Sequence, residues 1–273
     1  MGLKDKKIGI IGTGKMGSSL IHGIINSKIV DSSNVYASDI YDLSLEKLHE
    51  ELGIKVSTDN KQTVMNSDII ILAVKPQIIR TVLAGIKDDV TENKLLISIA
   101  AGVPISEIDD ELNSGTKLIR VMPNIAATVG EASSAICPGE NTTNEDVDVT
   151  LEIFKTVGTA RVIPEYLMDA FTGVSGSGPA FIFPVIEAMA DGAVYEGLDR
   201  KNALTFAAQT VLGAAKMVLE TENHPAELKD MVTSPGGTTI RGVHELEEHG
   251  IRSAFMDAVI ESSRRSKELG KKD

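Results

Sequence analysis

Apolar residues in the first half of the chain fall into short runs separated by stretches of helical period. Lys7-Ile8-Gly9-Ile10-Ile11 predicts a buried strand, after which Met16, Leu20, Ile24 and Ile25 recur at helical spacing. Asn34-Val35-Tyr36-Ala37-Ser38 predicts a second strand. Asp68-Ile69-Ile70-Ile71-Leu72-Ala73-Val74 is the strongest strand signal. It is apolar on both faces, as a central parallel strand must be when helices cover both sides of a sheet. Leu95-Leu96-Ile97-Ser98-Ile99 and Leu118-Ile119-Arg120-Val121-Met122 continue the series, with Ser134-Ala135-Ile136-Cys137 and Ala160-Arg161-Val162-Ile163 as later strands. Alternation of this kind predicts an α/β fold, a doubly wound parallel sheet.

The texture changes near Pro164. From Tyr166 onward strand-like runs disappear and Ala, Met and Leu dominate, as in 203–219 and 251–269. The expected division is therefore 1–163 for the α/β domain and 164–273 for an all-helical one. Small residues such as Ala207, Ala208, Ala214 and Ala215 let helices approach closely. Helices apolar on more than one face either form a self-contained bundle or pack against a second subunit, and the dimer is the favoured reading.

Composition narrows the function. The 273 residues are 42% hydrophobic and 24% charged, with a net charge of -12, and no basic run precedes the C-terminal tail. That argues against a nucleic-acid or anionic-membrane partner, since both need a positive surface. The single cysteine, Cys137, cannot form an internal disulfide, which fits a reducing compartment. The charged N-terminus is followed by an apolar run too short for a signal-peptide core or a membrane span, and position 6 is Lys where a myristoylation signal has Ser or Thr. A cytoplasmic protein is expected. The five histidines form no metal-ligand spacing and no Ser/His/Asp or Cys/His set is evident, so neither a metal nor a covalent mechanism is expected.

Gly12-Thr13-Gly14-Lys15-Met16-Gly17 fits G-x-G-x-x-G, follows a strand and opens a helix. In that setting Gly12 permits a tight turn, Gly14 lets the backbone approach a pyrophosphate, and Gly17 allows close helix–strand packing. The free N–H groups of the helix start hold the phosphates. This is the Rossmann-type pattern, and it predicts an NAD(P)H site. Asp39, 22 residues past Gly17 at the end of the second strand, can accept hydrogen bonds from ribose hydroxyls and would repel the extra phosphate of NADP, which leans the cofactor towards NADH. Its alternative reading is a cap or turn residue. Ala73-Val74-Lys75-Pro76, Ala100-Ala101-Gly102 and Met122-Pro123-Asn124 end the next three strands, where ligands of open α/β sheets sit.

Two glycine-rich segments interrupt the helical half. Gly173-Val174-Ser175-Gly176-Ser177-Gly178-Pro179 reads mainly as a helix break, with Pro179 starting the next helix. Ser234-Pro235-Gly236-Gly237-Thr238-Thr239 precedes a helix through Val243 and Leu246; its backbone N–H groups form a natural carboxylate site, and its hydroxyls serve equally as N-caps.

These segments, together with His224-Pro225, Leu228-Lys229-Asp230 and the extension Thr238-Thr239-Ile240, resemble pyrroline-5-carboxylate reductase, in the family's order and over nearly the whole chain. The Ser-Pro-Gly-Gly segment is the most specific match. The resemblance implies a C-terminal helical domain that dimerises by interleaving, with dimers often assembling further. It implies NAD(P)H-dependent reduction of the cyclic imine 1-pyrroline-5-carboxylate to L-proline, the last step of proline biosynthesis. On the matching positions, Asp39 and Asn60 lie on the adenosine side of the cofactor, and Val74, Lys75 and Ala101 nearer its reactive end. Gly236, Gly237 and Thr238 hold the substrate carboxylate, the Thr239 hydroxyl faces the ring nitrogen, and Glu222 lies near the substrate, with Ser234 in the same turn. Gly12, Thr13, Gly14, Lys15, Met16, Gly17, Ala73, Pro76 and Asn124 complete the expected cofactor set. Two departures stand out: Ile125-Ala126 where the family commonly has Thr-Pro, and Phe181 where it often has tyrosine.

Two other functions compete. A 3-hydroxyacid or 6-phosphogluconate type dehydrogenase would use a lysine in the first long helix after the sheet, yet no lysine lies between Ser175 and Asp199. A protein that binds NAD(P) without turnover would have no need of a second, substrate-shaped glycine loop. For reduction to occur, the two glycine turns must bring imine and nicotinamide together.

Overall fold

A computed structural model describes residues 3–270. Eight strands alternate with helices: β1 (Ile8–Ile11), α1 (Lys15–Asn26), β2 (Val35–Ser38), α2 (Asp42–Leu52), β3 (Lys55–Ser57), α3 (Asn60–Met65), β4 (Ile69–Leu72), α4 (Ile79–Ile86), β5 (Leu95–Ser98), α5 (Ile105–Asp109), β6 (Lys117–Met122), β7 (Ala132–Pro138), α6 (Asn144–Lys155) and β8 (Gly158–Val162). They form one sheet in the order β3-β2-β1-β4-β5-β6-β7-β8. All neighbours are parallel except β6 and β7, where Val121 faces Ile136 in antiparallel register.

The alternation in β4 shows why the sheet is covered twice. Ile69 and Ile71 join one buried cluster with Leu20, Ile24 and Phe154. Ile70 and Leu72 join the other, with Leu83, Ile86 and Ile108. Helices α1 and α6 thus cover one face, α4 and α5 the other, and each strand residue is buried whichever way it points. The parallel, doubly wound prediction holds for most of the sheet. Two features escaped it. β7 runs against its neighbour, and hydrophobic periodicity carries no information on direction. β3 has three residues and none is fully buried, so it leaves no apolar run to detect.

The remaining helices are α7 (Met168–Phe171), α8 (Gly178–Tyr195), α9 (Arg200–Thr221), α10 (Pro225–Val232), α11 (Thr238–Glu248) and α12 (Ile251–Leu269). Compact unit one takes in residues to Gly176 and the stretch from Ser263; unit two spans Ser177–Ser262. Unit one runs past 163 because Met168 packs with Ala135 and Cys137 of β7. Unit two has a small core of its own: Ala190, Ala203 and Ala207 cluster where α8 meets α9, and neither α11 nor α12 buries a residue. Large side chains on the same helices are bare, with Tyr195 at 89%, Phe183 at 63% and Phe206 at 57% exposure. No helix among the described residues is long and apolar enough to cross a membrane.

Candidate functional site

β1 and β4 lie side by side at the centre of the sheet, and the chain leaves them towards opposite edges. At such a switch point the loops beyond the strands' carboxyl ends diverge and leave a crevice. Gly12, at the exit of β1, donates its N–H to Ser38 O (2.7 Å), and Ala73, at the exit of β4, donates to Ile11 O (2.8 Å). Gly12 has φ +98°, a conformation that L side chains rarely adopt. A Cβ on Gly17 would run into the carbonyl oxygen of Gly12, so α1 can sit this close only with glycine there. Gly14 is the reverse case. It is the N-cap of α1, no side chain caps the helix, and a Cβ on it would meet nothing within 4 Å. The first turn of α1 therefore offers backbone donors into open space and contains no acidic residue of its own, the arrangement a pyrophosphate needs.

The crevice is a cavity of about 700 Å³. Of the residues expected at the cofactor, Gly12, Thr13, Gly14, Asp39, Asn60, Ala73, Val74 and Lys75 line it; Lys15, Met16, Gly17, Pro76, Ala101 and Asn124 do not. Asn60, at the start of α3, accepts a hydrogen bond from Ser38 Oγ at 2.8 Å. Asp39 is drawn over the glycine turn: its Oδ2 accepts from Thr13 N (2.6 Å) and Thr13 Oγ1 (3.0 Å), and its Oδ1 from Tyr41 N (3.2 Å). Thr13 Oγ1 also lies 3.0 Å from Ser44 Oγ. Asp39 is thus a turn residue and a wall of the cavity at once. Ile40, Leu43, Lys47, Ile78 and Val82 also line the cavity and were not expected there from the sequence. Ile40, an apolar residue two positions past the end of β2, is 80% exposed.

Beyond β6, Asn124 is a junction. Its Nδ2 donates to Ser175 O and Oγ (both 3.1 Å), and its Oδ1 accepts from Ala126 N (3.2 Å) and Ser133 N (3.4 Å). Its amide is therefore occupied by the protein. Ser175 belongs to a π-helical turn, Thr172–Gly176, so the first glycine-rich segment winds wide where a break was expected; such turns often occur at functional sites. Ala101 and Gly102 form an exposed turn beyond β5. Nearby, buried Arg120 donates to Glu165 Oε1 at 2.9 Å, and the same oxygen accepts from Ile105 N at 2.8 Å, capping α5.

In unit two, Ser234-Pro235-Gly236-Gly237 turns between α10 and α11. Gly236 has φ +68°, and Gly237 N donates to Ser234 O at 3.1 Å. Gly237 is the N-cap of α11, with no side-chain cap. The hydroxyl capping open to Ser234 and Thr238 is not used, so the first N–H groups of α11 at Thr238 and Thr239 are available to an anion. Glu222 closes α9 with φ +56°, a strained conformation for a residue with a side chain.

Two groups in unit one titrate above their ordinary range, while Asp31, Lys94 and Asp146 lie below theirs. Burial pushes the Cys137 thiol up to about 11, with Glu165 adding to the effect and Arg120 opposing it. Burial, then the nearby Glu140 and Asp110, raises Asp109. Among the described residues no group of three or more His, Cys, Asp or Glu is placed to hold a metal ion.

A family model described as pyrroline-5-carboxylate reductase dimerisation matches residues 165–269. One described as NADP oxidoreductase, coenzyme F420-dependent, matches residues 7–102. The pyrroline-5-carboxylate reductase of Methanosarcina acetivorans is 65% identical over 270 residues, covering 99% of this chain and 100% of that one. A solved pyrroline-5-carboxylate reductase from Coxiella burnetii superposes with a TM-score of 0.94 at 33% identity, covering 98% of this chain and 99% of the other. One from Plasmodium falciparum with NADP bound gives 0.86 at 34% identity, covering 99% and 100%.

Proposed function

The chain belongs to the pyrroline-5-carboxylate reductase family, and on that premise we propose which of its residues reduce 1-pyrroline-5-carboxylate to L-proline with NAD(P)H, and how. The reaction adds a hydride to the imine carbon and a proton to the ring nitrogen. Bound NAD(P)H supplies the hydride. The uncapped start of α1 and the open side of Gly14 take its pyrophosphate, Asp39 and Asn60 border its adenosine side, and Val74, Lys75 and Ala101 lie towards its reactive end. Lys15, Met16, Gly17, Ala73 and Pro76 support this set through the backbone, and Asn124 acts by holding the loop after β6.

The single observation that carries the substrate reading is the bare N-terminus of α11 behind the Gly236–Gly237 turn. Its N–H groups and the Thr238 hydroxyl hold the carboxylate of the imine, with Ser234 and Glu222 flanking it. Anchoring the carboxylate fixes the ring; alignment of two reactants is worth about 7–11 kcal/mol when it is good. Thr239 then donates a hydrogen bond to the ring nitrogen and polarises the C=N bond. A threonine hydroxyl is a poor ultimate acid at neutral pH, so the proton comes from water or arrives on an already protonated iminium.

The 1–163 segment serves the cofactor, and 164–273 the substrate and association with a second copy. The exposed apolar residues of α8 and α9 support a homodimer, with dimers associating further. The single, free cysteine supports a cytoplasmic setting. The test is direct: purified protein is mixed with NADH or NADPH and pyrroline-5-carboxylate, and reduced cofactor is followed by absorbance. Oxidation that depends on the imine and yields proline is expected; oxidation only with a keto acid, or none, rejects the reading.

A further inference from the structure

We propose that Asp39 makes this enzyme select NADH over NADPH, an inference that rests on the reductase reading and concerns the adenosine end of the same cavity. The carboxylate stands just past the carboxyl end of β2, in the wall of the cavity that contains Gly12 and Gly14. An adenosine ribose entering beside the glycine turn meets it.

Three hydrogen bonds fix where it points. Thr13 N and Thr13 Oγ1 hold Oδ2, and Tyr41 N holds Oδ1. A carboxylate has about four acceptor positions, so one remains, on Oδ1. A ribose 2′-hydroxyl is a donor and satisfies it. A 2′-phosphate brings only acceptors and about two negative charges, so it meets the carboxylate acceptor to acceptor and charge to charge. A mobile acidic side chain could rotate away. This one would give up a short, charge-assisted bond to the Thr13 backbone that also shapes the glycine turn.

The surroundings do not neutralise it. No ion pair of Asp39 occurs among the described residues. The next acidic residue, Asp42, sits in the first turn of α2. Lys47 also lines the cavity, but a lysine is a single hydrated charge on a flexible stem and lacks the fork with which arginine grips a phosphate.

Two readouts test the proposal. The first is the dissociation constant of each reduced cofactor without substrate, followed by its fluorescence. The second is kcat/KM for each at saturating pyrroline-5-carboxylate. Wild-type protein is expected to favour NADH by tenfold or more in both; a smaller preference, or one for NADPH, overturns the proposal. Asp39→Asn keeps the side chain's size and an acceptor for Thr13 while removing the charge, and should move both ratios towards NADPH by at least tenfold. A purely structural role would weaken both cofactors alike, and an unmoved ratio in this variant also overturns the proposal. Should the variant fail to fold, the wild-type ratios decide alone. Absence of imine-dependent oxidation with either cofactor strikes at the reductase reading instead, while the binding ratio still judges Asp39.

Discussion

Asn124 reaches across from the end of β6 to hold Ser175, donating to both its carbonyl and its hydroxyl oxygen at 3.1 Å. Ser175 Oγ in turn lies 3.3 Å from Ser133 O, so the π-helical turn is tied to two strands of the sheet through one amide. Asn124→Ala leaves the buried Ser175 without its donor. Stranding a buried polar group costs about 1–3 kcal/mol, which should appear as a lowered midpoint in thermal or urea unfolding. Asn124→Asp should cost at least as much, since a carboxylate cannot donate to Ser175.

The two glycines of the α1 turn should separate folding from binding. Gly17→Ala places a methyl against the Gly12 carbonyl and should destabilise the protein by about 1–3 kcal/mol, the usual cost of overpacking. Gly14→Ala adds a methyl to open space at an unstrained φ of -63°. Its unfolding midpoint should stay close to wild type while the dissociation constant for NAD(P)H rises by about tenfold or more, as the methyl occupies the space the pyrophosphate approaches through. Equal behaviour of the two variants would contradict the cavity's assignment.

Thr239→Ala should reduce kcat by about a hundredfold to a thousandfold, the range for losing one donor to a reacting centre. Cofactor affinity should not change, and Thr239→Ser should restore most of the rate because the hydroxyl returns. Unchanged turnover in the alanine variant removes Thr239 from the mechanism.

Cys137 predicts an alkaline weakness. Its folded thiol is pushed up to about 11, whereas an unfolded one ionises near 8.5–9. Between those values the unfolded chain holds fewer protons than the native one, so stability falls as pH rises through the window and is untouched below it. At about pH 10 the loss is roughly 1.4 kcal/mol relative to neutral pH. Urea titrations at both pH values, on wild type and Cys137→Ala, should show that increment only in the wild type. Alkylation of Cys137 should require unfolding.

The sequence made the Rossmann half readable because its chemistry is carried by backbone. A glycine that must be a glycine marks the chain, and Gly12, Gly14 and Gly17 do so at fixed spacing. Continuous apolar runs such as Ile69–Leu72 likewise have one economical use, a strand buried on both faces. Side-chain relationships left fainter marks. Nothing local to Asn124 reveals that its amide is spent on Ser175, and nothing in Ser134-Ala135-Ile136-Cys137 states that β7 runs backwards. The Ser234–Thr239 turn was recognisable as the approach to a helix, but the hydroxyls that looked like caps leave α11 uncapped behind Gly237.

The sparse interior of the helical unit has a physiological reach. A bundle whose buried centre is Ala190, Ala203 and Ala207, while Phe183, Phe206 and Tyr195 stand bare, borrows its missing core from another copy of itself. Folding and self-association then share one equilibrium, and dilution acts as a denaturant. The melting temperature becomes a function of protein concentration, so a cell that makes little of the enzyme also makes it less durable.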